Sequence, residues 1–234
     1  MTNEIAEDLP DVHLSDVQQP LEPLTGMSVW ARMRLSYVDM RRTTRALIDE
    51  NPSEARLLFF VLLSDVIFFL SYGVRLIVSP SDAVGDALPP PAQLGVLLIG
   101  SLFLRTLTLY IFALVVCVVG RMLGGRGSFK AVRAGVFWSS LVAAPVGVVG
   151  AFVSGAFVQL EPALPMLALP VFAWPPVLVG IIAFVVFLSA GTAEAHRFPK
   201  TMPVLLGFTA LSLVLLLAAL LFGPALMGSL GLAP

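Results

Sequence analysis

Charge is what this chain lacks most. Of its 234 residues only 12% are Asp, Glu, Lys or Arg, against roughly a quarter in an ordinary soluble domain, and the shortage excludes a globule that covers its surface with ions. Cysteine is nearly absent too: Cys117 stands alone, so no internal disulfide forms, and its place in an apolar run reads as a small buried hydrophobe. Lysine occurs only at Lys130 and Lys200, an arginine bias associated with GC-rich bacterial genomes. The N-terminus has no basic stretch leading into an apolar one. It opens on Glu4, Glu7, Asp8, Asp11 and Asp16, which speaks against a cleaved signal peptide and leaves the first apolar helix as its own insertion signal.

What the chain has in excess is hydrophobic side chains, 58% of the total, and they fall in long runs. This is the composition of a membrane protein. Residues 1–27 are acidic, carry Pro10, Pro20 and Pro23, and read as a disordered cytoplasmic tail. Over residues 28–50, Trp30, Met33, Tyr37, Met40, Thr44 and Leu47 recur at steps of three and four, flanked by Arg32, Arg34, Arg41, Arg42 and Arg45. That pattern predicts one amphipathic helix in the membrane interface with these arginines on lipid headgroups; the alternative is a helix packed on the protein's own cytoplasmic loops. Asn51, Pro52, Ser53 and Glu54 then read as a helix start with Asn51 as cap.

Five apolar stretches follow within a transmembrane domain of residues 51–234, at about 57–78, 94–119, 134–157, 172–193 and 203–226, each long enough for a bilayer core of roughly 30 Å. Loop charges test the count. Arg41, Arg42, Arg45 and Arg56 precede the first stretch; Asp82 and Asp86 follow it; then come Arg121, Arg126, Lys130 and Arg133; then Glu161 alone; then Arg197 and Lys200. Basic and non-basic connections alternate, as a five-helix, all-α protein with a cytoplasmic N-terminus and a periplasmic C-terminus in a bacterial inner membrane requires.

The basic connection between the second and third stretches holds the chain's most specific wording. Gly120, Gly124, Gly125, Gly127, Ser128 and Phe129 do not fit a phosphate-binding loop, because the required Gly-Lys-Ser/Thr frame and a preceding strand are missing. They fit a tight helical hairpin in which the glycines supply positive φ and Ser128 caps the next helix. This wording, with Lys130, Arg133, Pro145 inside the next helix and the later segment Gly191 to Phe198, resembles the Yip-one (Ypt-interacting protein) domain family in its bacterial branch. The resemblance implies a five-helix membrane protein with a cytoplasmic N-terminus, and its eukaryotic members associate with small trafficking GTPases.

Two features stand apart from the resemblance. Gly135, Ser139, Ala143, Gly147, Ala151 and Gly155 recur every fourth residue, a small-residue ladder for close helix packing within the bundle or between copies; Gly147→Leu is expected to break that contact. Asp65 and Arg105 are ionisable groups inside apolar stretches and are expected to face inward, although counting rise puts them roughly 12 Å and 22 Å from their cytoplasmic ends. They are either a buried structural pair or part of a polar pathway. No catalytic pair is found: Ser154 and His196 belong at opposite ends of the bundle, and Glu194 and His196, two residues apart, do not share a helical face. No cofactor, metal or nucleic acid is expected. The reading is a non-enzymatic organising, assembly or partner-binding protein in the bilayer, with a membrane-protein partner or a second copy; the competing reading is a small transporter or channel subunit using Asp65 and Arg105.

Overall fold

Two side-chain caps shape the N-terminal region. The computed structural model describes residues 26–78 and 90–229. The Ser28 hydroxyl accepts from the amide of Ala31 and opens α1, Val29–Ser36. Asp39 then accepts from the amide of Arg42 and opens α2, Met40–Asp49. The single helix expected over residues 28–50 is therefore two, because an Asp able to cap lies in the middle of the pattern. The next start also shifts. Ser53, not Asn51, accepts the capping bond, from the amide of Arg56, and α3 runs Glu54–Val78. Asn51 takes a left-handed φ of 48°, and its carboxamide oxygen accepts from Lys130 at 2.7 Å.

Beyond α3 come α4, Pro90–Gly100, a π-helical turn at Ser101–Arg105 and α5, Thr106–Met122. Ser128 caps α6, Phe129–Leu160, by accepting from the amide of Ala131. The stretch expected at 172–193 is divided: a short α7, Pro170–Ala173, stops before Trp174, and Pro175 and Pro176 start α8, Pro175–Ala195, where a proline's missing donor costs nothing. Last is α9, Met202–Ser229. Four stretches, Glu54–Val74, Leu94–Met122, Phe129–Leu160 and Pro175–Ala195, are long and apolar enough to cross a membrane, and α9 presents a shorter described apolar stretch, Met202–Val214. Most of the acidic tail and the connection bearing Asp82 and Asp86 lie outside the described residues.

The long helix α6 is the centre of the bundle. It packs along α8 on one side and α3 on the other, and α2 packs on both α8 and α6. Trp138 of α6, fully buried, meets Phe60 of α3 edge-on at 5.3 Å. Its indole N–H donates to the Ser36 hydroxyl at 3.1 Å, and Ser36 in turn shares a 2.8 Å bond with Thr43. Tyr37 donates to the carbonyl of Val142 at 2.7 Å, next to the carbonyl that Pro145 leaves without its helical donor. Met33, Met40, Thr44 and Leu47 of the expected stripe are buried by this docking, whereas Trp30 is 62% exposed. The short N-terminal helices thus pack against the bundle itself, and they do so through hydrogen bonds as well as apolar contact.

Candidate functional site

The basic end of the bundle is built from the hairpin between α5 and α6, the end of α8, and α2. Gly124 turns the chain at φ +87°, a conformation that glycine adopts without a Cβ penalty. The Gly125 amide then donates back to the Gly120 carbonyl at 2.8 Å. The remaining glycines have a different reason to be glycine. A Cβ on Gly120 would lie 2.3 Å from Nε2 of His196, one on Gly125 2.5 Å from its Nδ1, and one on Gly127 2.7 Å from the carbonyl oxygen of Ala195. The hairpin is a socket for His196. The residue is 1% exposed, its ring stacks on Phe198 at 5.6 Å, and its carbonyl accepts from the amide of Arg126 at 3.1 Å.

Neither ring nitrogen of His196 has a hydrogen-bond partner among the described residues. Burial holds the imidazole below its usual range against an opposing pull from the Val116 carbonyl, and the Arg121 charge adds to the lowering. A base with a depressed folded-state pKa stabilises the fold fully above its unfolded value, here the ordinary 6.5, and that stability is lost as pH falls toward the folded value. Thermal midpoints in detergent should therefore fall between about pH 7.5 and about pH 5.5, and His196→Gln should flatten the slope. An equal slope in the variant would place the titration elsewhere.

Glu194, two residues before His196, holds α2 to α8. Its carboxylate is 4% exposed; it accepts from Arg41 Nε at 2.9 Å and forms an ion pair with Arg45. Arg41 also donates to the carbonyls of Phe198 at 2.8 Å and Pro199 at 3.1 Å. Arg41 and Arg45 are four residues apart, so one helical face delivers both guanidiniums to one acid. Glu194 and His196 do not share a helical face, and they act on different neighbours. Glu194→Gln is expected to cost about 1.5–3 kcal/mol, the range for hydrogen bonds to a charged group, and to speed tryptic cleavage after Arg41 and Arg45.

Arg32, expected at lipid headgroups, is 2% exposed and forms an ion pair with Glu50; the Glu50 carboxylate also accepts from Arg56 at 2.7 Å. Burial pushes the Glu50 carboxyl upward, but the two guanidiniums outweigh it and hold the group below its usual range. Arg34 is exposed and Arg42 half-buried. Arg133 grips Glu54 with both terminal nitrogens at 2.8 and 2.7 Å. Most of the arginines read as lipid contacts are therefore spent on acids of the chain itself.

Within the bundle, Asp65 and Arg105 meet. The fully buried Asp65 carboxylate forms an ion pair with Arg105 and accepts from Thr106. Arg105 also donates to Ser64 at 2.8 Å and to Ser140 at 2.9 Å and lies over the Phe68 ring at 4.8 Å. Uneven helix ends take up most of the roughly 10 Å difference in depth expected from the rise per residue, and the long Arg105 side chain spans the rest. Arg133, one turn into α6, is level with Glu54 at the start of α3, so the α5–α6 hairpin projects roughly 6 Å further.

The ladder residues divide as well. Gly135 and Gly191 cross so closely that a Cβ on Gly135 would lie 2.8 Å from the Gly191 carbonyl oxygen, and a Cβ on Gly150 would lie 2.4 Å from that of Pro176. Ser139 donates to the carbonyls of Gly135 and Phe187 at 2.7 and 3.0 Å, and Ala143, Ala151 and Gly155 are buried. Gly147 differs: a Cβ there meets nothing within 4 Å. It opens on a cavity of about 520 Å³ that Arg105, Ser140 and Ser154 also line, so a side chain added there starts into open space, while its backbone lies beside α8, where a Cβ on Gly180 would come 3.5 Å from the Gly147 Cα. Gly150 and Gly191, outside the four-residue pattern, are the missed partners.

No curated protein and no solved structure matches the chain. The Yip1 domain family model matches residues 35–223, a span that holds the glycine hairpin, His196, Glu194 and the Asp65–Arg105 pair together. The chain belongs to the Yip1 domain family and is a multi-pass membrane protein of that family.

Proposed function

We propose that this is a non-enzymatic organising or partner-binding protein of the bacterial inner membrane, with five spanning helices, α9 being the fifth, a cytoplasmic N-terminus and a periplasmic C-terminus. Family membership fits a non-enzymatic membrane role. The observation that carries the reading is the prebuilt basic end: the His196 socket and the Glu194 clamp fix α2, α8 and the α5–α6 hairpin to one another. Rigid positioning of a surface lowers the ordering cost of binding, and this one presents Trp30 at 62% and Val38 at 86% exposure. Collected lysines and arginines at that end support its cytoplasmic placement, with Arg34, Arg42 and the exposed part of Arg45 nearest to lipid headgroups. The transport reading has the cavity beside Arg105 on its side, but Arg105 is neutralised by Asp65 and the cavity walls are largely apolar side chains.

Affinity purification from native membranes in mild detergent tests the proposal. A membrane-protein partner or second copy should co-purify with the wild type and be lost from Trp30→Ala combined with Val38→Asp. Recovery of a lone monomer from wild-type membranes, or retention of the partner by that variant, contradicts the assigned surface.

A further inference from the structure

The cavity of about 520 Å³ is floored by α6 and surrounded by α3, α5 and α8, in the half of the bundle away from His196. Phe68, Phe112, Ile181 and Phe184 give it apolar walls. The cavity is open on one side, with Phe68 48% and Ile181 50% exposed, so the hydrocarbon around the membrane-spanning helices reaches it. Its polar groups are mostly spent inside the protein: Arg105 on Asp65, Ser64 and Ser140, Ser71 on the Ile67 carbonyl at 3.1 Å, and Thr108 on the Leu104 carbonyl at 2.7 Å. The Ser154 hydroxyl is buried without a hydrogen-bond partner among the described residues, and it lies toward the far end of α6, which stops at Leu160.

The geometry points to a membrane phospholipid as the occupant, one acyl chain lying between the phenylalanines toward Arg105 and an ester carbonyl accepting from Ser154 once that hydroxyl turns from its buried rotamer into the cavity. The lining helices are membrane-spanning, so acyl chains are the medium around the cavity. Its volume is that of a small-ligand site, roughly 300–1,000 Å³, too little for a helix about 10 Å across. Arg105, already neutralised by Asp65, does not require an anionic group, which favours an uncharged ester over a free carboxylate. This assignment stands independently of the partner-binding surface, since it involves the opposite half of the bundle.

Photolabelling reads it directly. The full chain is placed in nanodiscs of phosphatidylcholine doped with a phosphatidylcholine bearing a mid-chain diazirine, irradiated, and mapped by peptide mass spectrometry. Adducts are expected on Phe112 and Phe184, which line the cavity along the acyl chain, above the bulk-lipid baseline given by the outward-facing Leu107 and Ile111. Gly147→Leu, which fills the cavity from α6, should cut the cavity adducts by an order of magnitude and leave the baseline unchanged; Thr108→Phe fills it from α5 and serves if the first variant does not assemble. Cavity labelling at or below the baseline, labelling undiminished in a folded filling variant, or labelling by a diazirine fatty acid but not by the phospholipid overturns the assignment.

Discussion

Arg105→Gln is expected to destabilise the protein by about 3–5 kcal/mol, the range for removing one partner of a buried ion pair. The carboxylate left behind is fully buried and keeps only the Thr106 hydroxyl as a partner, so an uncompensated charge remains where no water can solvate it. Asp65→Asn alone should also destabilise, because it leaves the guanidinium without a counter-charge between Ser64 and Ser140. The two changes together should recover more than half of the loss of either, since two neutral amides can still hydrogen-bond to the surrounding hydroxyls. Thermal unfolding in detergent by intrinsic fluorescence checks all three. A stable Arg105→Gln protein would mean that the pair serves something other than the fold.

The second large effect is at the hairpin. Gly125→Val should destabilise by at least the ~1–3 kcal/mol of an overpacked core, because its side chain would enter both the His196 ring and the Gly120 carbonyl, 2.5 and 2.7 Å from the Cβ position. The carbonyl belongs to the backbone and cannot rotate away. Gly147→Ala supplies the contrast. It adds the same first carbon to a helix of the same bundle, meets nothing within 4 Å, and replaces a poor helix former, so it should be neutral or stabilising by up to about 1 kcal/mol. Melting temperatures that move together in the two variants would show that glycine content, not the socket, sets the response.

How much of this could be read from the chain follows from what each feature depends on. The apolar helices were legible because hydropathy is local and the runs are long, and Ser128 was legible as a cap because its partner, the Ala131 amide, is three residues away. Asp39 was equally local; it was overlooked because the apolar period continues through it. The Asp65–Arg105 pair was placed at different depths because rise per residue says nothing of how far one helix projects past another, which Arg133 and Glu54 fix. Gly147 belongs to a flawless four-residue period yet faces a cavity, whereas Gly150, off the period, touches Pro176. Spacing gives a face of a helix, not which part of that face another helix covers. The glycine hairpin was read as a turn and a family signature, and only Gly124 has the positive φ that this reading requires among the hairpin glycines. The others answer to His196, some seventy residues away in sequence.

The central claim is that coupling, and a double-mutant cycle measures it. Gly120→Ala, His196→Ala and the pair of changes together are compared by unfolding in detergent. The Cβ of the first change would lie 2.3 Å from the ring that the second removes. Gly120→Ala is expected to be costly in the wild type and nearly free when His196 is alanine, a coupling of about 1 kcal/mol or more. Additive losses would contradict it.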